Sequence, residues 1–360
     1  MSYKNFFYIA DVFLPSRSAY SIHVMKMCNS FAKKKFRVSL FCLNKKNSNL
    51  FNYYNCKNKF KIIGLNQNKN NFFTRIIFGF KVLKKIHATN DELILSRSIF
   101  SGLLLSLFEK KVILEIHHDL KGFTKFLVFL FHKTKYFKSI NIIFISKKLS
   151  NSKIYNKNNF IILDDAVELS DFKKIRSNKK INYTCVYTGS LTKGKGIENI
   201  LNIAKITQNI NFHIYGDIKN SNYSEIDFKN NVKFCGYIKH KDIPKILNKY
   251  EVLLMPYSDK VYVRSSNLET GKYMSPLKLF EYMAAKKIII ARDLKVYSHI
   301  LNNKNSILIS SSNAQNWSTK IKFIFKNKKK FVSLGLQAYN DVKKYTWDKR
   351  VSKIINFAKV

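Results

Sequence analysis

Short apolar runs recur along this chain, separated by stretches long enough to hold one helix each. In the first half they fall at 6–10, 38–42, 93–95, 112–116 and 142–145. Each reads as a buried strand. Between the first two, a loop carrying Pro15, Ser16, Arg17 and Ser18 leads to Ser21, which can cap a helix running to about Lys34, with Ile22, Met25 and Phe31 among its apolar positions. The pattern restarts after Asp171, with strand runs at 183–187, 212–215, 252–255 and 288–290. Short buried strands alternating with helices predict parallel sheets covered on both faces. The two halves are alike in kind without being a sequence repeat. The polar, basic stretch 173–180 is the expected linker. The expected architecture is α/β, two Rossmann-like αβα domains, 1–172 and 173–344. Ligands of such sheets bind outside the carboxyl ends of the strands, here expected in a cleft between the halves.

Composition fits that size. The chain has 360 residues, 46% of them hydrophobic, enough for two cores, and 14% aromatic, which excludes a disordered chain. Cys28, Cys42, Cys56, Cys185 and Cys235 show no paired spacing, so neither a metal knuckle nor a disulfide framework is expected. The start lacks a signal-peptide core, and the longest apolar run, 99–108, is about half the ~20 residues that span a bilayer. A cytoplasmic protein is expected. The net charge of +43 admits three readings: nucleic-acid binding, attraction to an anionic membrane surface, or a plain composition bias. Lysines spread over the whole chain speak against a dedicated nucleic-acid surface, so no specific nucleic acid is expected as a partner.

Two segments carry candidate chemistry. Residues 189–196, from Gly189 and Ser190 through Gly194, Lys195 and Gly196, follow a strand and precede a helix. Glycines let backbone approach a ligand, and Lys195 is a point charge suited to phosphate. The segment nearly matches a P-loop, but Gly196 stands where that loop needs Ser or Thr, which counts against an NTPase. The bland alternative is a turn with a solvated lysine. The second segment, 274–284, opens on Ser275 and Pro276, read as N-cap and first helical residue. The free N–H groups of such a helix start attract a diphosphate. Leu277, Phe280 and Ala284 share the sheet-facing side; Lys278 and Glu281, three apart, are either ligand-binding groups or an ordinary surface pair.

Taken together these segments resemble the retaining GT-B glycosyltransferases of family 4, the glycosyl transferases group 1 set, of a bacterial cell-surface polysaccharide branch. The resemblance runs over nearly the whole chain: residues 16–27 resemble the first loop and helix, 189–196 the Gly-x-Leu…Lys-Gly loop, Gly216, Gly236 and 240–244 the later turns, 275–284 the donor helix, and 345–347 the Tyr-Thr-Trp before a last helix, 345–360, expected to pack back on the first domain. It implies that Lys195 and the backbone at Ser275, Pro276, Leu277 and Lys278 hold the donor diphosphate, with Gly189 and Ser190 in the same loop. Glu281 matches the second Glu of a Glu-x7-Glu motif and implies a ribose ligand. His117 resembles the histidine near the reacting sugar, and with Glu281 makes the implied catalytic pair. Arg17 and Ser18 lie in the loop that closes over the phosphates. Three positions depart from the pattern: Tyr273 replaces the first Glu, with Glu269 close upstream; Ser190 replaces a loop Arg; Ser18-Ala19 replaces Gly-Gly.

The implied reaction is transfer of a sugar, with retention, from a UDP- or GDP-linked donor to a glycan or lipid-linked acceptor. No Asp-x-Asp occurs in the chain, so a site without metal or cofactor is expected. Residues 123–138, aromatic and basic, form a helix that lies either on an anionic membrane, placing the protein on its inner face, or against the sheet. Two other functions compete: a sugar-nucleotide epimerase or hydrolase on the same scaffold, and a basic nucleic-acid-binding protein.

Overall fold

The computed structural model describes residues 5–46, 48–86, 92–173, 175, 180–218, 223, 230–262 and 269–359. The chain divides into two compact units, Met1–Asp165 with Trp347–Val360, and Ala166–Thr346. The crossing at Asp165 and Ala166 lies upstream of the basic stretch 173–180, of which 174 and 176–179 fall outside the described residues.

The first unit runs β1 (Asn5–Leu14), α1 (Ala19–Lys33), β2 (Arg37–Lys45), α2 (Leu50–Tyr53), β3 (Lys61–Gly64), α3 (Phe72–Lys85), β4 (Glu92–Ser96), α4 (Ile99–Leu107), β5 (Val112–Ile116), α5 (Gly122–Phe131), α6 (Lys135–Lys138), β6 (Asn141–Phe144), α7 (Lys147–Ser150) and β7 (Phe160–Ile162). All seven strands are parallel, in the order β3-β2-β1-β4-β5-β6-β7. The second unit runs β8 (Thr184–Thr188), α8 (Ile197–Lys205), β9 (Asn211–Tyr215), β10 (Val232–Gly236), α9 (Ile243–Asn248), β11 (Val252–Met255), α10 (Leu277–Ala284), β12 (Ile288–Arg292), β13 (Ile307–Ile309), α11 (Ala314–Lys326) and α12 (Lys328–Val342). Its six strands are also parallel, ordered β10-β9-β8-β11-β12-β13. The last helix, α13 (Trp347–Ala358), returns to the first unit and packs beside α1, where Ser30 donates to Asp348 at 2.7 Å and Lys33 pairs with the same carboxylate.

Each sheet reverses its strand order once, between β1 and β4 and between β8 and β11. In parallel α/β sheets that reversal opens a crevice at the carboxyl ends of the two strands. The lysine site described below lies at the ends of β8 and β11, and the His117 network lies at the end of β5, the neighbour of β4.

Three local readings are corrected. Helix α1 is capped by Ser18, whose side chain accepts from the Ser21 N–H at 3.2 Å; Ser21 is inside the first turn and donates to the Ser16 and Ser18 carbonyls. Pro276, with ψ 128°, is still extended, so helical geometry begins at Leu277 and Pro276 rather than Ser275 is the cap residue. Residues 123–138 are two helices, because Thr134 caps a new start at Lys135. Among the described residues no helix is long and apolar enough to cross a membrane. All five cysteines are free.

The core of the first unit includes Phe6 stacked on Phe31 with ring centroids 3.6 Å apart, both fully buried. Phe31→Ala is expected to cost about 3–5 kcal/mol, read as a lower urea midpoint. A change under about 1 kcal/mol contradicts this packing.

Candidate functional site

The chain leaving β8 forms the loop 189–196, and the chain leaving β11 passes through Pro256 and Tyr257. Two lysines converge on this end of the second sheet. Lys278, in the first turn of α10, is 7% exposed, and its Nζ lies 3.3 Å from the centroid of the Tyr187 ring and 5.1 Å from that of Tyr257. Lys195 presents its Nζ to the other part of this box, 4.5 Å from the Tyr257 centroid. The Lys278 Nζ has no hydrogen-bond partner, and among the described residues neither ammonium has a carboxylate at ion-pair distance. Burial, with the charge of Lys195 adding to it, holds the Lys278 ammonium well below the usual lysine range; burial brings Lys195 down to about 8. The aromatic faces return part of the lost hydration through cation–π contact. A buried cation without a counter-charge is costly, so this arrangement favours any anion that enters it.

The glycines of the loop serve that geometry. A Cβ on Gly189 would stand 2.9 Å from Lys278 Cε and 3.0 Å from its Nζ, and the residue has φ +136°. Only glycine lets the ammonium come this close. A Cβ on Gly196 would meet the Pro256 carbonyl oxygen at 1.9 Å. The Ser or Thr of a P-loop therefore has no room there, which is the physical reason for the departure from that motif. Ser190 is exposed; its carbonyl accepts from the Tyr187 hydroxyl at 2.8 Å, holding the loop on the ring that Lys278 covers.

Helix α10 begins at the same place. It has no side-chain cap, and its first bond runs from Leu279 N–H to the Pro276 carbonyl at 2.9 Å. First-turn N–H groups have no partner within a helix, and the two ammoniums lie beside them. Glu281 is 6% exposed and bonded to His240, Nε2 to Oε1 2.6 Å. The surface Lys278–Glu281 pair does not form: both side chains are buried, and the carboxylate's partner is a histidine from the turn before α9. The sequence marked 240–244 as a turn and missed this role; the signal is a histidine 41 positions upstream of the carboxylate, legible only through the sheet order. Tyr273 closes a turn by donating its N–H to Thr270, and Glu269 bridges backbone with Tyr262, its carboxylate 4.0 Å from Lys272.

Arg17, Ser18 and His117 belong to the first unit. Arg17 and Ser18 are exposed at the start of α1, with the Ser18 oxygen occupied as cap. His117 follows β5 and is almost buried. Its Nε2 lies 3.2 Å from Glu115 Oε1, on which His23 Nε2 (3.0 Å) and Arg350 of α13 (2.5 Å) also converge. Tyr8 donates to the other Glu115 oxygen at 2.6 Å, and His23 Nδ1 contacts Asp165 at 2.5 Å. Arg350 also donates to the carbonyls of Leu163 and Asp164. Burial works to raise the Glu115 carboxyl, yet His23 and His117 outweigh it and hold it well below the carboxylate range. Burial and then the nearby Arg97 lower His117 to about 3, so at neutral pH it is an uncharged imidazole. One ring nitrogen of an uncharged imidazole is left as an acceptor. His23, Glu115 and His117 are close enough to hold a cation. They do not suit one, because the guanidinium of Arg350 occupies the same carboxylate oxygen. Sequence reading named His117 and missed Tyr8, Asp165 and Arg350, whose partners lie 107, 142 and 235 positions away.

Residues 169–341 match the family model described as glycosyl transferases group 1. A 41.2 kDa protein in the cps region of Klebsiella pneumoniae is 27% identical over 204 residues, 55% of this chain and 54% of that protein. The match thus spans about half the length of the relative. Among solved structures, a glycosyltransferase from Rickettsia africae superposes with TM-score 0.74 at 13% identity, covering 99% of this chain and 98% of its own. TarM gives 0.74 at 12% over 99% of both chains. Anabaena HepE, solved with UDP and glucose, gives 0.71 at 12% over 98% and 99%. The shared fold is GT-B.

Arg350→Ala leaves Glu115 buried without its guanidinium and is expected to destabilise the first unit by about 3–5 kcal/mol. Thermal unfolding checks it. A shift no larger than that of an exposed lysine replaced by Ala contradicts the network.

Proposed function

We propose that this chain, whose residues 169–341 match the glycosyl transferases group 1 model, is a glycosyltransferase that moves a sugar with retention from a nucleoside diphosphate to an acceptor hydroxyl. One observation carries this reading: two desolvated lysines, with no carboxylate at ion-pair distance among the described residues, beside an uncapped helix start at the β8–β11 crevice. That geometry suits a diphosphate. As the glycosidic bond to the donor breaks, negative charge grows on the leaving diphosphate, and Lys195, Lys278 and the first N–H groups of α10 stabilise it without reorganising. Glu281, steadied by His240, accepts hydrogen bonds from two ribose hydroxyls. His117, uncharged, accepts from a hydroxyl of the transferring sugar or the acceptor; it is not a proton donor.

The protein supplies the cations itself, and transfer is proposed to need no divalent metal. UDP is the first choice of donor, supported by HepE of the same fold with UDP and glucose, and GDP the second. Synthesis of a cell-surface polysaccharide, on a glycan or lipid-linked glycan, is supported by the cps-region relative.

Lys278→Met tests the donor site with two opposed outcomes. Removing an unpaired buried cation should raise the melting temperature, while UDP affinity falls about 10- to 100-fold, the worth of one charged hydrogen bond. Glu281→Ala should weaken a UDP-sugar by a similar factor with the fold intact. Normal UDP binding by Lys278→Met sinks the assignment.

A further inference from the structure

The outward faces of α3 and α5 are apolar where helices covering a sheet are usually polar. On α3, positions 73, 77, 80 and 84 share one stripe at helical spacing, and Phe73, Ile77 and Phe80 occupy three of them, Phe73 at 72% exposure. On α5, Phe123, Phe126, Phe129 and Leu130 are each about half exposed, and Val128 alone is buried. Thr124, Leu127, Val128 and Phe131 form the covered face of α5, and its outer face carries aromatic residues beside Lys121 and Lys125. The two helices meet through Phe72 and Phe123, with ring centroids 4.4 Å apart and edge to face. Phe73, Phe72, Phe123 and Phe126 are linked ring to ring, so the apolar residues at the two helix starts are contiguous, and contiguous apolar patches of this kind mark interaction surfaces.

The surrounding charge narrows the occupant. Residues 69–86 and 121–138 contain no Asp or Glu, and Lys84, Lys85, Lys121 and Lys125 are exposed. A second copy would bring the same cations against these. A nucleic acid would match the charge but offer nothing to Ile77 or Leu130. An anionic bilayer matches both, with acyl chains for the rings and headgroups for the lysines. The start of α3 adjoins the carboxyl end of β1: Arg75 Nε is 3.1 Å from Asp11, which also accepts from Tyr20 at 2.7 Å, next to the loop bearing Arg17 and Ser18. We propose that α3 and α5 together are the face on which this protein docks on an anionic membrane, bringing that end of the first unit to a lipid-linked acceptor. The docking itself stands independently of the donor-site reading.

The test uses flotation of the full chain with phosphatidylglycerol or phosphatidylcholine vesicles. A chain of charge +43 will be drawn to anionic vesicles in any case, so the deciding variant keeps every charge: Phe73→Ser, Phe80→Ser, Phe126→Ser and Phe129→Ser combined. Wild type is expected on phosphatidylglycerol vesicles and the variant to partition at least about tenfold less, with UDP affinity unchanged. In a separate Phe126→Trp variant, emission should shift to the blue on adding phosphatidylglycerol vesicles, against the buried Trp317 and Trp347. Equal partitioning of wild type and fourfold variant overturns the proposal. So does an unshifted Phe126→Trp, or a wild-type dimer that the four substitutions dissociate. UDP binding is measured on the same samples, so failure of the donor site is seen separately.

Discussion

A buried lysine and a half-buried one, with no carboxylate at ion-pair distance among the described residues, are the constraint to which the second unit is fitted. Tyr187 and Tyr257 give them aromatic faces in place of hydration. Gly189 lacks the side chain that would push Lys278 away. Helix α10 begins beside them with no side chain bonded over its start. None of this maximises stability. A methionine in place of Lys278 would pack on the same ring without the cost of burying charge. The arrangement makes sense as one whose electrostatic deficit is relieved by an anion, and the reversal of strand order between β8 and β11 places it where parallel sheets accept ligands.

The first unit solves the opposite problem. There a buried carboxylate is over-supplied with partners. Glu115 takes Tyr8 from β1, His23 from α1, His117 beyond its own strand, and Arg350 from the last helix. The final helix is tied to the sheet through one guanidinium that also binds the carbonyls of Leu163 and Asp164. His117 lies at the edge of this network, and burial with the nearby Arg97 keeps it uncharged against the pull of Glu115. A neutral imidazole stands next to a carboxylate already taken by a guanidinium and a phenol.

The central strands were legible in the sequence, and the edges were not. The nine strand runs read from apolar pattern correspond to β1, β2, β4, β5, β6, β8, β9, β11 and β12. The four missed strands, β3, β7, β10 and β13, are the outermost of both sheets. In β3 and β10 the exposed Lys61 and Lys233 break the continuous apolar run that marks a buried strand, while β7 and β13 keep unbroken runs but are only three residues long. The lysines of the candidate site were legible by type and motif; their burial was not, because Lys278 reads as a surface residue until the Tyr187 ring beneath it is known. The Glu281–His240 and Glu115–Arg350 pairs depend on which strands adjoin, and local spacing does not carry that.

Proton uptake on UDP binding probes the central claim most directly. Burial has lowered Lys195 to about 8 and holds Lys278 well below the usual lysine range. A diphosphate beside them raises both again. Between the free and bound pKa values, binding must therefore draw protons from the buffer, and affinity must fall as pH rises through about 8. Calorimetric titration with UDP near pH 8, repeated in buffers of different ionisation enthalpy, should show net uptake, smaller in Lys278→Met. Tight UDP binding with no proton uptake, unchanged from pH 7 to pH 9, would mean that the lysines do not hold the diphosphate.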